Sequence, residues 1–226
     1  MNSMLKAVIF DLDGTLTDCD LELARKRVCE QLVRYGAGYE GTAHRMEEIH
    51  HRFNIEGIYD RNRWWEEFDI DLTVSQKQYL TNLYWDCVTS TTYVKPYAES
   101  LLVSLRTRVL LVLLTDFDGE SHSKRKRISS LPLLHYFDLV VIAGEDTEQV
   151  KPSPQPYRYI LEKLNLSPET VLMVGDKPQV DLEGARALGL LTLLVEGEYG
   201  QWDPHVSSLE EARSYIESLL TPSLSP

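Results

Sequence analysis

Residues Lys6-Ala7-Val8-Ile9-Phe10-Asp11-Leu12-Asp13-Gly14-Thr15 place four apolar residues in succession directly before two carboxylates, a glycine and a threonine. Unbroken hydrophobicity, as opposed to alternation, marks a strand buried on both faces, and such strands belong to parallel sheets covered by helices on each side. Similar runs recur at 109–114, 139–142, 171–174 and 191–195. The expected fold is therefore α/β, built on a doubly wound parallel sheet.

Punctuation between the runs supports intervening helices. Ser153 before Pro154, and Ser167 before Pro168, each pair a capping side chain with a first-turn proline. Gly189 marks a helix stop, and Ser208 with Glu211 forms a capping box that opens the last helix. Residues 16–92 contain no comparable strand run. Their apolar residues fall at helical spacing, first Leu21, Val28 and Leu32, then Leu80, Leu83 and Cys87. This segment interrupts the path from the first strand to the second, so it is read as an inserted α-helical cap over the sheet, with Pro96 re-entering the core. The expected division is a discontinuous core of 1–15 and 93–226 and a cap of 16–92, with 221–226 a disordered tail.

Composition narrows the function. The 226 residues carry a formal charge of −12, which disfavours attraction to nucleic acid. The basic run 124–127 opposes that trend and is read as a solvated helix face. No stretch approaches the roughly 20 apolar residues that span a bilayer, so no membrane partner is expected. The first residues carry one lysine and no small-residue cleavage site, which leaves a cytoplasmic protein. Cys19, Cys29 and Cys87 lack close spacing and are expected to be reduced thiols.

Acidic residues stand where the apolar runs end: Asp11 and Asp13, Asp116, then Asp176 and Asp181. Ligands of open parallel sheets bind at the carboxyl ends of the strands, so these side chains should converge. Clustered carboxylates repel one another, and a divalent cation with oxygen ligands keeps them ionised. Magnesium fits better than zinc, because no His/Cys set has the spacing zinc prefers. Thr115 and Lys151 stand beside the acids as phosphate-binding groups, and the N–H groups of Gly14 and Thr15 could approach an anion.

In this order, Asp11-Leu12-Asp13-Gly14-Thr15, an apolar strand ending in Thr115, Lys151-Pro152, and Gly175-Asp176 followed by Asp181, the chain resembles the haloacid dehalogenase superfamily, in particular phosphatases with a helical cap after the first motif. The resemblance implies a magnesium-dependent phosphohydrolase acting on a small phosphorylated metabolite. In it Asp11 is the nucleophile, Asp13 the general acid and base, and Lys151 a catalytic cation. Thr115, Asp116 and Lys151 line the phosphate site, and Asp11, Asp13, Asp176 and Asp181 bind Mg2+, Asp13 through its carbonyl and Asp181 directly, through water, or by orienting the loop. A phosphomutase and a non-catalytic binding protein are the alternatives. Asp116 and Lys177 depart from the family's commoner residues and are read as two unrelated solvent-facing charges, with an ion pair across the site mouth as the other possibility.

Within the helical segment, His44, Glu47, Glu48 and His51 are read as exposed helix contacts, with a second metal site as the alternative. Trp64, Trp65 and Phe68 are assigned to the cap core, with substrate stacking as the alternative. Arg45, Arg52, Arg61 and Arg63 are candidates for contact with a second anionic group of the substrate.

Overall fold

The computed structural model describes residues 4–38, 41–197 and 201–220; the tail expected at 221–226 lies outside the described residues. Strand β1 (Ala7–Phe10) leads to β2 (Thr17–Asp18), followed by helices α1 (Leu21–Arg34) and α2 (Thr42–Ile55), a 3-10 stretch at Arg61–Glu67, helix α3 (Val74–Thr91) and strand β3 (Tyr93–Val94). The chain continues through α4 (Ala98–Leu105), β4 (Leu110–Asp116), α5 (Lys124–Ile128), β5 (Leu139–Ala143), α6 (Pro154–Leu164), β6 (Val171–Gly175), α7 (Glu183–Ala187), β7 (Leu191–Val195), β8 (His205–Val206) and α8 (Leu209–Leu220).

Six strands form one parallel sheet in the order β5-β4-β1-β6-β7-β8. Both faces are covered, which is why the runs are continuously apolar. Val8 and Phe10 of β1, with Leu111 and Leu113 of β4, belong to a core with Leu101 and Leu105 of α4 and Leu209 and Ile216 of α8. Ala7 and Ile9, with Val112 and Leu114, belong to a second core with Tyr157 and Ile160 of α6 and Ala185 of α7. The order reverses at β1, and the register sets Phe10 beside both Leu113 and Val174. The residues that follow these three strands therefore share one edge, at the switch point where such sheets bind ligands.

Helix punctuation follows the expectation with two adjustments. The Ser153 hydroxyl accepts from the Gln155 N–H, and Gly189, at φ 88°, closes α7. Ser167 opens only a single 3-10 turn, Pro168–Thr170, and its side chain caps nothing, because Val171 already begins β6. Ser208 accepts from the Glu211 N–H at 3.2 Å, while the Glu211 carboxylate returns one residue earlier than expected, to the Ser207 N–H at 2.8 Å.

The chain divides into two compact units: residues 1–18, 94–117 and 128–226, which contain the sheet, and residues 19–93 with 118–127. The second unit is helical. Its core joins Ala24, Val28 and Leu32 of α1, Met46, Ile49 and Phe53 of α2, Trp64, Trp65 and Phe68, and Leu80, Tyr84 and Cys87 of α3. The three aromatic residues assigned to this core are buried in it. Residues 118–127 group here and not with the sheet, where the sequence reading put them. The Ser121 hydroxyl donates to Asp60 Oδ1 at 3.4 Å and the Arg127 guanidinium lies 5.4 Å from the Trp85 ring, while within the segment Asp118 receives Arg127 at 2.7 and 3.2 Å and Lys124 at 3.0 Å. The basic run is thus not a uniformly solvated face: Lys124 is buried and Arg127 partly so, one helical turn apart, while Arg125 and Lys126 are exposed. His44 meets Glu48 at 3.2 Å in an exposed i, i+4 contact, as expected. Among the described residues Cys19, Cys29 and Cys87 form no disulfide. Among the described residues no helix is long and apolar enough to cross a membrane.

Candidate active site

β1 ends at Phe10 and the chain turns sharply through 11–17. The Gly14 N–H donates to the Thr17 carbonyl at 2.8 Å, and the Thr15 N–H donates to the Leu12 carbonyl at 3.3 Å. Those two donors are consumed inside the turn, which corrects the expectation that they face an anion. The Leu12 N–H, between the two aspartates, makes no hydrogen bond among the described residues. Gly14 adopts φ 95°, and a Cβ there would fall 2.4 Å from Asp176 Oδ2, so both backbone and space require glycine.

The turn presents Asp11, which is buried, and Asp13, which is half-buried. From the loop before α6, Lys151 reaches in with its ammonium 2.5 Å from Asp11 Oδ1 and 2.6 Å from Asp181 Oδ1. Its own N–H donates to Asp116 Oδ1 at 3.0 Å, so Asp116 orients the lysine from the end of β4. Beside it stands Thr115, a buried residue whose hydroxyl makes no hydrogen bond among the described residues. From the end of β6 comes Asp176, whose Oδ1 accepts from the Thr15 hydroxyl at 3.0 Å. Asp181 lies in a π-helical turn, Pro178–Leu182, where the Tyr157 hydroxyl donates to its carbonyl at 2.7 Å.

Asp116 and Lys177 are not two unrelated solvent-facing charges, because each engages the site. Asp116 is buried against Lys151, and the Lys177 ammonium donates to Asp176 Oδ2 at 2.8 Å and to the Asp13 carbonyl at 3.2 Å. At the start of the π-helical turn the Lys177 N–H donates to Asp181 Oδ2 at 3.0 Å. Thr15, Tyr157 and Lys95, which donates to the Gly14 carbonyl at 2.9 Å, also support the site. Thr15 was visible in the first motif only as a turn residue, and nothing in the sequence singled out Tyr157 or Lys95.

Charge is finely balanced here. Burial pushes the Asp11 carboxyl above its usual range despite Lys151, and it does the same to Asp181. Burial also opposes the Lys151 ammonium, but Asp11, Asp181 and Asp116 hold it well above the usual lysine range. Two carboxyls lifted in this way are under-compensated, and they would gain from a further cation. Asp11, Asp176 and Asp181 offer oxygen atoms all within 4.8 Å of one another, and among the described residues no other group of three possible ligands comes so close. A set of hard oxygens without nitrogen or sulfur suits a small divalent ion such as magnesium.

The four arginines named as substrate candidates lie in the helical unit and differ in their engagement. Arg45 donates to the Glu67 carbonyl at 2.9 and 2.6 Å, Arg52 pairs with the Glu67 carboxylate at 2.9 Å, and Arg63 is exposed. Arg61 is only 4% exposed; it binds the Ile58 carbonyl and Asn54 Oδ1 and lies 4.3 Å above the Trp64 ring.

Comparison with known proteins agrees with this architecture. A phosphoglycolate phosphatase of Aquifex aeolicus is 31% identical over 204 residues, covering 84% of each chain. A glyceraldehyde 3-phosphate phosphatase of Pyrococcus furiosus is 29% identical over 212 residues, covering 88% of this chain and 84% of that one. The crystal structure of a HAD phosphatase of Thermococcus onnurineus is similar with a TM-score of 0.71 at 26% identity, covering 94% and 98% of the two chains. The haloacid dehalogenase-like hydrolases match residues 5–189, a span that takes in every residue of this site, and the chain belongs to that family.

Proposed function

We propose that the protein hydrolyses the phosphate monoester of a small metabolite through an aspartyl-phosphate on Asp11, with Mg2+ bound at the acidic cluster. The observation that carries this reading is the pairing of buried Asp11 with Lys151 at 2.5 Å while the less buried Asp13 stands two residues on, at the switch point of the sheet. A buried, oriented carboxylate suits a nucleophile, and a neighbour with access to solvent suits a proton carrier.

In the first step an Asp11 oxygen forms a bond to phosphorus, the bond to the leaving oxygen breaks, and that oxygen takes a proton from Asp13. In the second, Asp13 removes a proton from water, the water oxygen attacks phosphorus, and the Asp11 carboxylate leaves. The Lys151 ammonium, the Thr115 hydroxyl and the Leu12 N–H are assigned to the phosphoryl oxygens, where fixed donors stabilise the developing charge. Asp11, Asp176 and the Asp13 carbonyl would hold magnesium, with Asp181 orienting the loop. The bound ion supplies positive charge that lets the carboxylates and an anionic phosphate share the site. Recognition of the rest of the metabolite is assigned to the helical unit, as its cap.

Phosphate release from a panel of sugar phosphates, phosphoglycolate and nucleotides, with magnesium, tests the reading. Free phosphate from at least one monoester is expected; isomerised sugar phosphate without release would make the protein a mutase, and no turnover on any ester would leave a binding protein. Gly14→Ala supplies a second test. Its new methyl must displace Asp176, and misplacement on the scale of an ångström costs roughly 10²-fold in rate. A drop of about that size in kcat is expected, with the circular dichroism spectrum unchanged.

A further inference from the structure

Lys177 points its ammonium at two oxygens that the proposed function gives to the metal: Asp176 Oδ2 at 2.8 Å and the Asp13 carbonyl at 3.2 Å. Magnesium needs its ligands at roughly 2.0–2.1 Å, so an ion on these oxygens and an ammonium on the same oxygens compete for one place. The lysine is anchored by its backbone, through the N–H bond to Asp181 Oδ2 at 3.0 Å, and its side chain is 28% exposed against 10% for Asp176. It therefore has a route outward that leaves its backbone in place.

The charge count points the same way. Lys151 serves Asp11 and Asp181, and Lys177 serves Asp176, so each of the three clustered carboxylates faces an ammonium. Without Lys177, Asp176 would keep from its described side-chain contacts only the Thr15 hydroxyl at 3.0 Å. A lysine in this position does what the ion does, with half the charge and a tether.

We propose that Lys177 is a built-in counter-cation of the metal site, which neutralises Asp176 and the Asp13 carbonyl while the ion is away and must swing aside for it to bind. Its consequence is a weakened affinity for magnesium, in exchange for a site that keeps its shape without metal. The inference rests on the reading of the acidic cluster as a magnesium site.

Isothermal titration of chelator-treated, full-length protein with MgCl2 tests it, using wild type, Lys177→Met, Lys177→Ser and the charge-keeping Lys177→Arg, with melting temperatures measured with and without the ion. Both neutral variants are expected to bind magnesium at least about tenfold more tightly, because a full charge beside a divalent ion is removed. Their metal-free melting temperatures should fall, and magnesium should restore them by a larger shift than in wild type. Lys177→Arg should bind like wild type or more weakly. Equal or weaker binding by both neutral variants would overturn the role of Lys177 and leave the magnesium site standing. Magnesium binding that survives Asp176→Asn, or no binding by any of the proteins, would remove the magnesium site itself and this inference with it.

Discussion

Replacing Asp11 by asparagine is expected to bring phosphate release down to background while the protein stays folded. Asparagine keeps the shape of the side chain, and Lys151 retains Asp181 at 2.6 Å, so its ammonium stays paired. What is lost is the anionic oxygen that attacks phosphorus, and no neighbour replaces it: Asp181 is engaged by Lys151 and by the Lys177 N–H, and Asp176 by Thr15 and Lys177. Asp13→Asn leaves the nucleophile in place and removes the proton carrier, a loss on the order of 10²–10⁴-fold. The two variants should separate on a nitrophenyl phosphate, whose leaving group needs little protonation. There the Asp13 variant should form the phosphoenzyme readily and fail in its hydrolysis, whereas the Asp11 variant should do neither. Steady-state rates on the nitrophenyl ester and on an alkyl phosphate, beside thermal melts of both proteins, measure this directly.

Removal of the divalent ion is the second change expected to stop turnover. Asp11 and Asp181 already sit above the usual carboxylate range because burial outweighs the cations around them, and an incoming phosphate adds further negative charge. Two lysines do not offset three carboxylates and a phosphate. Exhaustive chelation should therefore abolish phosphate release, and added magnesium should restore it. Calcium should restore far less, since it takes more ligands at longer distances than this cluster provides. Full activity in chelated protein whose metal content has been checked would contradict the site as described.

Much of this architecture was legible because the sheet is buried on both faces. β1, β4, β5, β6 and β7 each carry an apolar run that needs no partner to be recognised, and the acids at their ends inherit their meeting place from the parallel topology. The two-residue strands β2, β3 and β8 were not legible, since so short a segment holds no pattern. The helical unit was visible as far as its apolar spacing reached. Its extension into 118–127 depends on contacts distant in sequence, Ser121 with Asp60 and Arg127 with the Trp85 ring, and four adjacent basic residues do not reveal that Lys124 and Arg127 turn inward onto Asp118. The same limit applies at the site. Asp11, Asp176 and Lys151 could be named from order and spacing, but which N–H groups remain for an anion depends on the hydrogen bonds inside the turn. The orientation of Lys177 depends on a π-helical turn that no residue pattern announced.

The covalent phosphate on Asp11 is tested most directly by trapping it. The Asp13→Asn variant, mixed with nitrophenyl phosphate and magnesium and quenched in acid within one turnover, should accumulate the intermediate, because its formation is spared while its hydrolysis is slowed. Peptide mass spectrometry is predicted to find a phosphate adduct on the peptide carrying Asp11, with fragmentation placing it on that residue and with none in the Asp11→Asn control. An adduct on any other residue, or an Asp11→Asn protein that turns over at a near-normal rate, would contradict it.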